Sequence, residues 1–150
     1  MAEPDITLRE AFHPRGLGYP RAFPVRTPAP GGSILLEVPS RVLWRILGFQ
    51  ATFTADATAA TRTHNVRLQK DGFVFWSSPA PTTVTATQVA NLVLTSSHFA
   101  ETTALLNDRV ALPDPCYLAE RMQLVTVTTN IQATDQWSAA EVWVMEWLEM

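Results

Sequence analysis

The sequence predicts an all-β protein: an antiparallel β-sandwich of jelly-roll type behind an extended, proline-rich N-terminal arm. Three observations carry that expectation. Thr is abundant (18 residues) and charged residues make up only 17% of the chain, a composition suited to pleated, half-buried surfaces. From Ser33 onward apolar and polar residues alternate with period two, the signature of strands with one face inward. Within that alternation "KDGF" supplies a two-residue Asp71-Gly72 turn, a hairpin signal because such turns demand positive φ.

Taken in order, "SILLEV" reads as a short strand ended by Pro39. "RVLWRILGFQATFTAD" is a long one, with Phe49, Ala51 and Phe53 on one face and Gln50, Thr52 and Thr54 on the other; Gly48 inside it marks a bulge. "NVRLQKDGFVFW" is the hairpin, Val66 and Leu68 alternating with Arg67 and Gln69 before the turn. "TTVTATQ" and "VANLVLTSS" read as further strands, the second also compatible with a short helix, and "FAETTALLNDRV" as a helix or a loop crossing the sandwich. "MQLVTVTTNIQ" alternates again and "AEVWVMEWLE" closes the chain. About eight short strands with turn signals between them read as a sandwich, and a double Greek key is the economical closure for that number.

The last strand is apolar on both faces. Trp143, Met145 and Trp147 share one side; Val142, Val144 and Leu148 share the other, interrupted by Glu146. An edge strand of an antiparallel sheet has a wet face, so this strand is expected to be central, one face in the core and the other under a cover. Large aromatics remove ~150–250 Å² each from water, and a patch of them left in solvent marks an interaction surface. Trp137, Trp143, Met145 and Trp147 are therefore the candidate core or interface residues here.

Residues 1–32 differ from the sandwich expected over 33–150. They hold six of the eleven prolines and four of the six glycines. Pro fixes φ and removes a donor, which excludes an interior strand and favours a polyproline-like path of ~3.1 Å per residue. Phe12, Tyr19 and Phe23 interleave with Arg15, Arg21 and Arg26, which makes the segment an arm with anchors. Its expected seat is a neighbouring subunit; lying along its own body as an edge cover is the alternative. Rim ion pairs add little, so Phe23→Ala is expected to weaken attachment more than Arg26→Ala.

The net charge of −3 gives no general attraction to nucleic acid. The start of the chain is polar and acidic, no run approaches the ~18 apolar residues of a membrane span, and synthesis in a cytoplasm is expected. Cys116 is the single cysteine and reads as a small packed side chain. His13, His64 and His98 lie far apart with no metal-ligand spacing. No nucleophile motif or phosphate loop is present, and Glu141 and Glu146 have opposite strand parity, which does not make a glycosidase pair. The expectation is a protein that is not an enzyme, with no cofactor and no metal. Trp76 and Trp137 are the rings that would stack on a sugar if the chain were a tail, fibre or baseplate module binding host glycans.

Two stretches resemble small structural proteins of tailed-bacteriophage virions: "TFTADATAATRTHNVRLQKDGFVFW" and "LPDPCYLAERMQLVTVTTNIQATDQWSAAEVWVMEW". The shared features are an "ATAATR" loop, a strand with a "DG" turn, a Leu-Pro lead-in, a "DQWSA" loop and a Trp-rich last strand. The resemblance spans about residues 40–150 and leaves out the arm. It implies a jelly-roll-like capsid decoration (cement) protein on the virion surface, a homotrimer seated on the major capsid protein and clasping neighbours with extended arms. It carries no catalytic residue.

Overall fold

The computed structural model describes residues 18–95 and 106–148, with backbone alone at 106–108. All regular structure there is β. The strands are β1 (Tyr19–Pro24), β2 (Leu35–Glu37), β3 (Val42–Thr54), β4 (Arg62–Lys70), β5 (Phe73–Val84), β6 (Val89–Thr95), β7 (Leu106–Ala111), β8 (Tyr117–Leu118), β9 (Met122–Thr128) and β10 (Gln136–Leu148). They form two sheets. One runs β1-β10-β3-β6-β7 with the short β8 also on β3; the other runs β2-β9-β4-β5.

Alternation sets the packing. Phe49, Ala51 and Phe53 on β3, Val66 and Leu68 on β4, Leu92 and Leu94 on β6, Leu124 on β9 and Val142 and Val144 on β10 are all buried in one core shared by both sheets. Each large aliphatic or aromatic side chain so enclosed contributes ~1.5–3 kcal/mol. Gly48 sits at a bulge: Trp143 pairs with Gly48 and the next residue, Val144, pairs with Ile46. Asp71 (φ 49°) and Gly72 (φ 81°) close the β4–β5 hairpin in the left-handed region, as the turn requires.

Several elements depart from the sequence reading. Tyr19–Pro24, inside the proline-rich segment, is a strand paired antiparallel with β10. It lies at a sheet edge, and its prolines occupy the positions an edge tolerates. Val25 N–H donates to Ala140 O at 2.8 Å, so by the two-residue repeat the odd positions turn their N–H toward β10 and Pro20 and Pro24 face away from it. "VANLVLT" forms a strand, the first of its two readings, while the end of the stretch expected as a helix or crossing loop over 99–110 belongs to β7 from Leu106; residues 96–105 lie outside the described residues. β6 and β7 are parallel, so the sheets are not antiparallel throughout. β5 continues through Pro79 and Pro81 instead of breaking there, again because it is an edge.

Candidate functional site: an arm clasp beside an outer tryptophan face

β10 lies between β1 and β3, the central position its two apolar faces call for. Val142, Val144 and Glu146 point inward and are buried; Trp143, Met145 and Trp147 point outward and are half-buried. The Trp143 ring lies over Gly48, 3.4 Å from where a Cβ would stand, so the glycine gives the indole a flat seat. Trp147 packs on Tyr117 (ring centroids 6.2 Å apart) and on Gly18. Leu47, at the bulge of β3, is exposed, and Ala22 and Pro20 of β1 stand across from Trp143 and Met145. The result is an apolar outer patch, with an Arg45–Asp114 ion pair at 3.3 Å beside it.

The inner side of the same edge holds a polar clasp. Glu146 is buried, yet both carboxylate oxygens are engaged: Trp44 Nε1–H donates to Oε2 at 2.8 Å and Arg21 Nη1–H to Oε1 at 2.7 Å. Burial pushes the Glu146 carboxyl up, and the Trp44 and Arg21 hydrogen bonds more than offset it, leaving the group below the usual glutamate range. Phe23 lies 5.2 Å from the Trp44 ring, and the Arg21 guanidinium stands 5.8 Å from the Phe23 centroid. Arg21 and Phe23, expected on sequence grounds as anchors on a neighbour, thus meet a carboxylate and an indole of their own chain. Tyr19 is exposed on β1 and Arg26 is exposed just past it; Phe12 and Arg15 lie outside the described residues.

The clasp gives a measurable contrast. Glu146→Ala strands the buried Trp44 donor and is expected to cost about 1–3 kcal/mol in urea unfolding. Arg21 is more than half exposed, its ion pair is screened, and Arg21→Ala is expected to cost less than about 1 kcal/mol. Equal losses would show that the ion pair, and not the buried indole bond, holds the clasp.

A second polar cluster lies at the other end of β10. Arg62 is fully buried with every N–H direction used. Its Nε and Nη2 fork onto Asp135 at 2.9 Å each, Nη2 also reaches Asp56 at 2.6 Å, and Nη1 donates to the carbonyls of Thr58 and Ala60. Asp135 in turn accepts from the backbone N–H of Asp56 and Gln132. This ties the "ATAATR" and "DQWSA" loops together, a contact that no local pattern in the sequence announces. Beside it, His64, Phe53 and Trp137 form a ring cluster with centroids 4.6–5.0 Å apart. Trp137 is 1% exposed and offers no face to a sugar; Trp76 is half-buried against the core.

Among the described residues no group of three or more His, Cys, Asp or Glu is placed to hold a metal ion. Burial raises the Cys116 thiol to about 11, which suits a packed side chain. Neither polar cluster opens a nucleophile or a paired acid and base to solvent; both knit strands together. Comparison with protein-family models, with curated proteins and with solved structures returns no match.

Proposed function

We propose that the protein is a structural component of a tailed-bacteriophage virion, a capsid decoration protein that stabilises the head as a trimer and reaches neighbouring subunits with its N-terminal arm. The observation that carries this reading is the outer face of β10. Trp143, Met145 and Trp147 stand only partly buried on the outer face of a sheet, and Gly18, where the described residues begin, packs on Trp147. The described residues therefore begin at the rim of the apolar patch.

The jelly-roll reading draws support from strand order. With β7 and β8 set aside, β1-β10-β3-β6 and β2-β9-β4-β5 follow the order of a double Greek key, in which successive strands pass back and forth between the sheets. The "ATAATR" and "DQWSA" loops of the resemblance are the two loops joined by Arg62 and Asp135, so those motifs have a physical reason to occur together. Partners on this reading are further copies of the chain and the major capsid protein.

Heads of the encoding phage assembled without the protein provide the test. The full chain is expected to bind them and to raise the temperature at which they open. A chain lacking residues 1–17 retains the β1 residues and their clasp; it is expected to keep its own melting temperature but to bind at least about tenfold more weakly, a loss of ~1.4 kcal/mol. Equal affinity of the two chains would contradict a role for the arm; failure of the full chain to bind would contradict the decoration reading itself.

A further inference from the structure

Sheet edges in folded proteins are guarded against pairing with another chain by charges, prolines, bulges or brevity. The outermost strands of the two sheets are β1, β7, β2 and β5, and three of them carry such guards. β1 has Arg21 with Pro20 and Pro24, β2 is three residues long and ends on Glu37, and β7 includes Asp108 and Arg109. β5 is different. Its twelve residues, FVFWSSPAPTTV, include no charge, and its two prolines protect only the distal half. Over Phe73–Ser78 the strand itself supplies no charge and no proline, and its one guard is a bulge at Phe75, where Trp76 pairs with Leu68 and Val74 with Gln69.

The same half-strand is where apolar side chains are exposed: Phe73 is 72% exposed, Phe75 44% and Val74 38%. β4 pairs with one side of β5, and among the described residues no strand pairs with the other. Over Phe73–Ser78 the backbone side that no described strand pairs with coincides with the exposed side chains. We infer that Phe73–Ser78 is a docking edge, and that its occupant is the same segment of a second copy of this chain, paired antiparallel about a two-fold axis.

A second copy fits because antiparallel pairing of one segment with itself needs no complementary partner sequence. Each strand offers the N–H and C=O row that the other lacks. An uncharged strand has no like charges to oppose across the axis, which is the repulsion that normally stops self-pairing. At the hairpin tip Asp71 is already held by Arg121 at 2.5 Å. Pro79 and Pro81 cannot donate to a ladder and end the pairing after Ser78, which limits it to one six-residue segment and prevents open-ended stacking. β5 belongs to the four-stranded sheet and the tryptophan patch to the other, so this inference stands or falls separately from the virion reading; a two-fold contact here is compatible with a three-fold contact there.

The test uses the full chain with single cysteines placed in turn at Val74, Phe75 and Ser77, and at Ala57 in an exposed loop as control; the native Cys116 is buried. Mild oxidation is expected to give a covalent dimer at the β5 position nearest the axis and none at Ala57. Phe75→Lys, which supplies the missing guard, is expected to halve the native mass measured by light scattering while leaving the far-UV circular dichroism unchanged. Cross-linking at no β5 position, cross-linking as efficient at Ala57, or a native mass that Phe75→Lys leaves alone would each overturn the inference. A pure chain that stays uncross-linked but captures a foreign strand at β5 would do the same, because the occupant would then be a different protein.

Discussion

Replacing Arg62 with Met is expected to lower the unfolding free energy by about 3–5 kcal/mol at neutral pH, the cost of breaking a buried ion pair from one side. The guanidinium fills a fully buried position and answers two carboxylates and two carbonyls at once. Met matches its length but none of its donors. Asp135, itself 1% exposed, is left with only the backbone N–H groups of Asp56 and Gln132. The pH dependence separates this from lost packing. In the native chain burial pushes the Asp135 carboxyl up, but Arg62 and those backbone bonds hold it below its ordinary value. Without Arg62 burial dominates and the carboxyl takes up a proton more readily. The gap between Arg62→Met and the native chain is therefore expected to narrow as urea titrations move from pH 7 to below about pH 5. A gap that stays constant with pH would assign the loss to packing alone.

The second large effect is acid destabilisation through His64. Its ring is 1% exposed, wedged between Phe53 and Trp137, and its Nδ1 shares a hydrogen bond with Thr128 Oγ1 at 2.9 Å. Burial lowers its pKa from 6.5 to about 4, against a smaller opposing pull from Asp135. The unfolded chain therefore binds a proton between those values while the folded chain does not. Stability is expected in full above pH 6.5 and to be lost as the pH falls through the interval to about 4, a total of roughly 3 kcal/mol. His64→Leu removes the titrating group and should flatten that slope, whatever it does to stability at pH 7. The same slope in both chains would place the acid sensitivity elsewhere.

These two groups show where the sequence was legible and where it was not. Period-two alternation identified β3, β4, β9 and β10, and the Asp71-Gly72 turn located the tight β4–β5 hairpin, because these signals are local. The apolar double face of β10 correctly implied a central strand. Prolines misdirected the reading at β1 and in β5: both strands lie at edges, where a missing N–H costs nothing, and edge status is a property of the sheet that no window of sequence contains. "LLNDRV" lacks a clean alternation, so β7 was read as helix or loop, and its parallel pairing depends on a crossover that local pattern does not encode. The Arg62–Asp135 fork joins residues 73 apart and the Trp44–Glu146 bond residues 102 apart. Nothing near Arg62 in sequence distinguishes it from a surface arginine; the one available hint was Glu146 interrupting an apolar strand, a charge that needed a buried partner.

The clasp also bears on how the arm works. Tyr19–Pro24 is held by its own β10, by Arg21 on Glu146 and by Phe23 against Trp44. With this strand held on its own body, the part of the chain left for the proposed contact with a neighbour lies before Gly18 and not before Ser33.

The most direct test of the assembly role is oxidative footprinting of Trp143, Met145 and Trp147 in the free chain and in the chain bound to phage heads. All three are only partly buried in the isolated chain, whereas Trp137 is 1% exposed, so they should oxidise faster than Trp137 there. Strong protection of all three on the head, with buried Trp137 unchanged, is the expected result. Equal oxidation in the free and bound states would contradict the proposal that this face is the surface on which the protein assembles.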